Sequence, residues 1–78
     1  MNRIRRKELS KALELLEQAK DIIEACRDEE QEAYDNLPEG IQSSDRGEMM
    51  DGYIYEMEDA MESIEGAIDT ITDNVIEA

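Results

Sequence analysis

Apolar side chains return at helical intervals along most of the chain. Leu9, Leu16 and Ile23 recur every seven residues, and Ala12, Ala19, Cys26 and Ala33 form a second row with the same spacing. Leu13, Leu15 and Ile22 widen the stripe, which has the width and period of the apolar face of an α-helix. Glu30 falls on the Leu9 row, and only Tyr34 and Leu37 are large beyond it, so the stripe thins toward the middle of the chain. A second run is more regular: Met50, Ile54, Met57, Met61, Ile64, Ile68, Ile71 and Val75 are spaced by alternating steps of four and three. That alternation is a heptad seam, flanked by Tyr53, Ala60 and Ala67.

Between the two runs lies Asn36-Leu37-Pro38-Glu39-Gly40, followed by Gln42-Ser43-Ser44-Asp45. Pro38 disfavours helical geometry at Leu37. The expected architecture is all-α: an antiparallel two-helix hairpin, with helices over about 4–35 and 46–76 and a turn at about 36–45, in one domain spanning 1–78. Each helix is about 45 Å long at 1.5 Å per residue. Asp45, with Glu48 three residues later, is placed to form a capping box at the second start. Gly47, Gly52 and Gly66 each cost about 1 kcal/mol relative to Ala inside a helix, so tertiary contacts are expected to offset them. Folding back sets Cys26 and Ala33 against Tyr53, Met57 and Met50, and Leu13 and Leu16 against Gly66, Ala67 and Ile68. Large against small is the condition for interdigitation.

A chain of 78 residues forming two helices buries little. Its own core contributes no more than about 3–5 kcal/mol. Leu15, Ile22, Tyr53, Ala60 and Ala67 lie off the seam that one partner helix covers. The pattern therefore predicts a homodimer in which two hairpins make a four-helix bundle or coiled coil. The self-association and core seam is Leu9, Leu13, Leu16 and Ile23 on the first helix and the eight residues from Met50 to Val75 on the second. A monomeric hairpin whose open face takes another protein is the alternative.

Charge changes this picture. There are 22 acids against 8 bases, a net charge of −14. Residues 1–27 hold seven bases and five acids, whereas residues 28–78 hold 17 acids and only Arg46 as a base. In a hairpin Arg3, Arg5, Arg6 and Lys7 come beside Asp69, Asp73 and Glu77, so the basic tip is expected to neutralise the acidic one. Glu58–Glu62, Glu65–Asp69, Asp69–Asp73 and Asp73–Glu77 are like-charge i, i+4 pairs, each costing a few tenths of a kcal/mol. A chain that retains them keeps an acidic face for solubility or for a basic protein partner. The possible partner face is Glu58, Glu62, Glu65 and Asp69. One hairpin carries its 14 net charges along about 45 Å, roughly one per 3 Å. Two side by side reach roughly one per 1.6 Å, comparable with the one per about 1.7 Å of duplex DNA. Nucleic-acid mimicry is thus physically open, while direct nucleic-acid binding by a chain so acidic is excluded.

Candidate chemistry is sparse. Histidine is absent and Cys26 is the sole cysteine, which removes disulfide frameworks, His-based triads and His-containing metal sites. Calcium-loop spacing fails from Asp35, which puts Leu37 and Arg46 at ligand positions, and from Asp45, which puts Gly47 and Met49 there. No cofactor and no catalytic residue is expected. Cys26 reads as a packed, inert thiol on the small-residue row, and Glu30 as a carboxylate reaching water at the thin end of the core. Met49, Met50, Met57 and Met61 read first as seam packing and second as an adaptable groove. Tyr34, Tyr53 and Tyr55 are loop-end core or a partner patch, and Leu37 and Ile41 plug the end of the bundle or offer its least repulsive contact. No run of 18 apolar residues spans a membrane, and the basic opening Met1 to Lys7 lacks the apolar stretch of a secretory signal, which points to the cytoplasm.

The stretch from Asp28 through Gln42, Glu-Glu-Gln-Glu-Ala-Tyr-Asp-Asn-Leu-Pro-Glu-Gly-Ile-Gln after the Asp, continues with Ser44-Asp45-Arg46-Gly47-Glu48. It resembles small acidic helical proteins of bacteria and their phages and prophages, which share an E-E-Q-E-x-x-D-N-L/M-P-E-x-x-Q turn and then R/K-G-E opening an acidic amphipathic helix. The likeness covers roughly residues 28–71, and its turn is more distinctive than its helices. Gly40 and Gly52-Tyr53 depart from the usual helix formers. The resemblance implies a helical hairpin and a mobile-element setting, and it carries neither an activity nor a site. The functional expectation is a non-enzymatic acidic helical interaction or assembly module, a phage- or prophage-type accessory protein. The alternative is a nucleic-acid-mimicking inhibitor that binds a basic groove of a host defence or nucleic-acid-binding protein.

Overall fold

The computed structural model describes residues 1–77. Every regular element among them is helical: α1 (Arg3–Asp35), a single turn α2 (Glu39–Gln42), and α3 (Asp45–Ile71), which loosens into a π-helical turn over Thr72–Ile76. The fold class is all-α. The molecule measures 58 × 16 × 13 Å.

Asn2 starts α1. Its backbone is extended and its side-chain oxygen accepts from the Arg5 N–H at 2.8 Å, satisfying one of the donors that a helix N-terminus leaves open. The helix ends where Pro38 prevents its continuation. Leu37 N–H turns back to the Tyr34 carbonyl at 3.0 Å, and the Gln42 amide donates to the same carbonyl at 3.0 Å. The turn is therefore pinned to the last turn of α1. The residue preceding α3 differs from expectation. The N-cap is Ser44, not Asp45, and its hydroxyl donates backward to the Ile41 carbonyl instead of accepting from the helix. The Asp45/Glu48 capping box does not form; both carboxylates lie in the first turn, where they favour the helix dipole. At the far end no base occupies the last turn, and Glu77 N–H reaches the Thr72 carbonyl at 3.0 Å, five residues back.

Gly47 is buried, and a Cβ there would press into the Gln42 and Ile41 carbonyls. Glycine lets the first turn of α3 abut the turn segment. At Gly52 and Gly66 an added Cβ meets nothing within 4 Å, so no close contact offsets their helix penalty.

α1 and α3 lie against each other. Lys20 bonds Glu65 at 3.1 Å and Arg27 approaches Glu58 at 3.9 Å, so an advance of seven residues along α1 is a retreat of seven along α3. The shielded row of α1, continued past its end, is Leu9, Leu13, Leu16, Lys20, Ile23, Arg27, Glu30, Tyr34 and Leu37, with Ala12, Ala19 and Gln31 half-buried beside it. Three of its members, Lys20, Arg27 and Glu30, are charged. Among the described residues only Ile54 and Met61 are buried apolar side chains, both on α3, and no α1 residue is buried.

Candidate functional site

Leu9, Leu13, Leu16 and Ile23 are half-buried on α1, and the eight residues from Met50 to Val75 are buried or half-buried on α3 and the π-helical turn. The register of the ion pairs sets Leu13, Leu16 and Ile23 level with Ile71, Ile68 and Met61, so this end is apolar on both sides. Toward the turn, Lys20, Arg27 and Glu30 come level with Ile64, Met57 and Ile54. Lys20 and Arg27 lay their aliphatic stems along the seam and carry their charges to its edge. The step of three and four that places them continues unbroken from Leu9 to Leu37; the spacing was legible, but their charge hid it from a search by hydrophobicity. The Glu65 carboxylate, through its hydrogen bond, raises the Lys20 pKa above its ordinary value of 10.5; partial burial opposes the shift, and Glu17 and Glu24 add to it.

Several expected packings are corrected. Cys26 is exposed rather than packed, as is Ala33. Cys26 instead borders an open groove of about 530 Å³ with Glu29, Glu30, Tyr53, Glu56 and Met57. Gly66 and Ala67 are exposed and do not receive Leu13 and Leu16. Cys26, Ala33 and Ala67 sit one position round from the shielded row, on its flank, and Gly66 lies on the side of α3 away from α1, so a single partner helix reaches none of them. Glu30 is half-buried and lines the same open groove. The tyrosines divide, with Tyr34 half-buried beside the turn and Tyr53 and Tyr55 exposed. Leu37 is half-buried at the end of the seam, while Ile41 stays exposed. Met50, Met57 and Met61 occupy the seam and Met49 does not.

The proposed acidic face is partly engaged within the chain. Glu58 and Glu65 face Arg27 and Lys20, whereas Glu62 and Asp69 are exposed with no base within 4 Å. The expected pairing of the two tips is absent: Arg3, Arg5, Arg6 and Lys7 form no ion pair among the described residues. Nor does any group of three Cys, Asp or Glu among them sit close enough to share a metal ion. No described helix is long and apolar enough to cross a membrane.

No family model, no curated protein and no solved structure matches the chain.

Proposed function

We propose that this chain is a non-enzymatic acidic helical module that works by assembling with a second copy of itself, two antiparallel hairpins forming a four-helix bundle. One observation carries the reading: among the described residues only two apolar side chains are buried, while Ile4, Leu15, Ile22, Met49, Tyr53 and Tyr55 are each more than half exposed. Burying one aliphatic or aromatic side chain stabilises by about 1.5–3 kcal/mol. Covering a few of these in a dimer thus adds as much as the whole isolated core of so small a chain supplies. The likeness of the turn to acidic proteins of phages and prophages is the support for an accessory role in that setting.

Nucleic-acid mimicry of a basic groove is the weaker reading, because Glu58 and Glu65 already serve intramolecular bases. Sedimentation equilibrium between low and high micromolar concentration tests the assembly. The expected result is a rise from 8.9 kDa toward twice that mass, strengthened by salt that screens the repulsion between two acidic chains. A single 8.9 kDa species throughout refutes it.

A further inference from the structure

The two long faces flanking the α1–α3 seam differ in chemistry. The Lys20–Glu65 and Arg27–Glu58 contacts bridge one edge. Helical spacing puts Glu14, Glu17, Asp21 and Glu24 on that side of α1, and Glu62 and Asp69 on that side of α3, all exposed. The groove bordered by Cys26, Glu29, Tyr53 and Glu56 marks the opposite edge. Following it by sevens and by i, i+3 steps gives Ala12, Leu15, Ala19 and Ile22 on α1 and Ala60 and Ala67 on α3. Leu15 and Ile22 are 64% and 65% exposed. From Ala12 to Cys26 this face carries no charge.

The ends differ too. Residues 1–11 hold five bases and one acid, and residues 28–39 hold six acids and no base. Arg3, Arg5, Arg6 and Lys7 at one end, and Glu29, Glu30, Glu32 and Glu39 at the other, have no ion-pair partner among the described residues.

We propose that the uncharged face binds a second copy of this chain with its ends reversed, so that the basic tip of each copy lies beside the acidic turn end of the other. The proposal rests on the self-assembly reading and adds the face and the orientation. Charge selects the occupant's position: two chains of net −14 repel everywhere except where carboxylates are absent. Area permits it, since setting Leu15 level with the partner's Ala19 overlaps residues 3–31, about 42 Å of a face 16 Å wide or roughly 700 Å² per copy, within the range of about 600–1,000 Å² per side of a standard interface. Pairing with like ends together would crowd two turns of six carboxylates each. Reversing one copy separates them and sets opposite charges level, which fixes orientation more than it adds affinity. Shape agrees. When Leu15 lies level with the partner's Ala19, Ala12 is level with the partner's Ile22, and large meets small twice over. The same stagger brings Arg5 level with the partner's Glu29.

Three measurements on the full chain test this. Ile22→Lys and Leu15→Arg, both at exposed positions of this face, are expected to weaken the dimer at least about tenfold with unchanged helical circular dichroism. A dimer that persists in both overturns the choice of face and leaves self-assembly standing, whereas a monomeric wild-type chain removes both. Arg5→Glu and Glu29→Lys are each expected to weaken dimerisation about fivefold at low salt, and together to restore it to within about twofold. Failure of the double variant to recover overturns the charge pairing. Finally, Cys26→Ser with Glu32→Cys places a single spin label on the outer side of α1. Reversed ends separate the two labels by about 45 Å along the axis. A separation under about 30 Å means like ends together and overturns the orientation.

Discussion

Gly47 and Lys20 show how single residues set this structure. Gly47 admits the turn backbone where a methyl group would collide with two carbonyls. Gly47→Ala is therefore expected to cost about 1–3 kcal/mol, while Gly52→Ala and Gly66→Ala, with open space around them, each stabilise by about 0.4–1 kcal/mol. Urea unfolding of the three variants checks the contrast, and equal effects at all three would contradict the close approach. Lys20 is a lysine whose folded pKa lies above its unfolded value because Glu65 holds the charged form. Its contribution is fully present below the ordinary value of 10.5 and is lost as pH rises through the folded pKa. The stability difference between wild type and Lys20→Met should shrink over that alkaline range; a pH-independent difference between pH 8 and 12 would rule out the ion pair as its source.

α1 and α3 are unequal partners. The inner row of α3 is apolar throughout, whereas that of α1 turns amphipathic after Leu16. α3 consequently holds both buried side chains. Ile54→Ala and Met61→Ala are expected to cost about 2–5 kcal/mol, enough to unfold a chain of this size, while Tyr55→Ala, 73% exposed, should stay within about 0.5 kcal/mol of wild type. Thermal melts followed by circular dichroism report this directly. The loosened turn at Thr72–Ile76 belongs to the same scale. Carboxylates at the C-terminal end oppose the helix dipole, and no base compensates them. Asn74→Lys should raise helicity there, read as slowed amide exchange over residues 72–77.

The molecule is a 58 Å rod with a thin core, one carboxylate-rich face and an opposite face that carries no charge between Ala12 and Cys26. A rod so thin cannot cover its own apolar stripes, because two helices in contact hide only the rows that point at each other. Leu15, Ile22 and Tyr53 remain outside for that geometrical reason. The unpaired bases at residues 3–7 and the unpaired acids at residues 29–39 polarise the rod along its length.

Spacing determined that the chain is all-α and which eight side chains of the second segment turn inward, since a 3.6-residue period admits one shielded row per partner helix, and Pro38 determined where α1 stops. Local reading missed the cap at Ser44 by one residue, because Asp45 and Ser44 are equally good cap types and only the path of the turn chooses between them. It also misplaced Cys26, Ala33 and Ala67, which flank the seam and stay exposed, and Gly66, which lies on the side of α3 away from α1. Tertiary structure decided these positions and the use of Lys20 and Arg27 as seam residues. The physical reason is that periodicity fixes which side chains share a face, whereas register between two helices fixes which face meets anything.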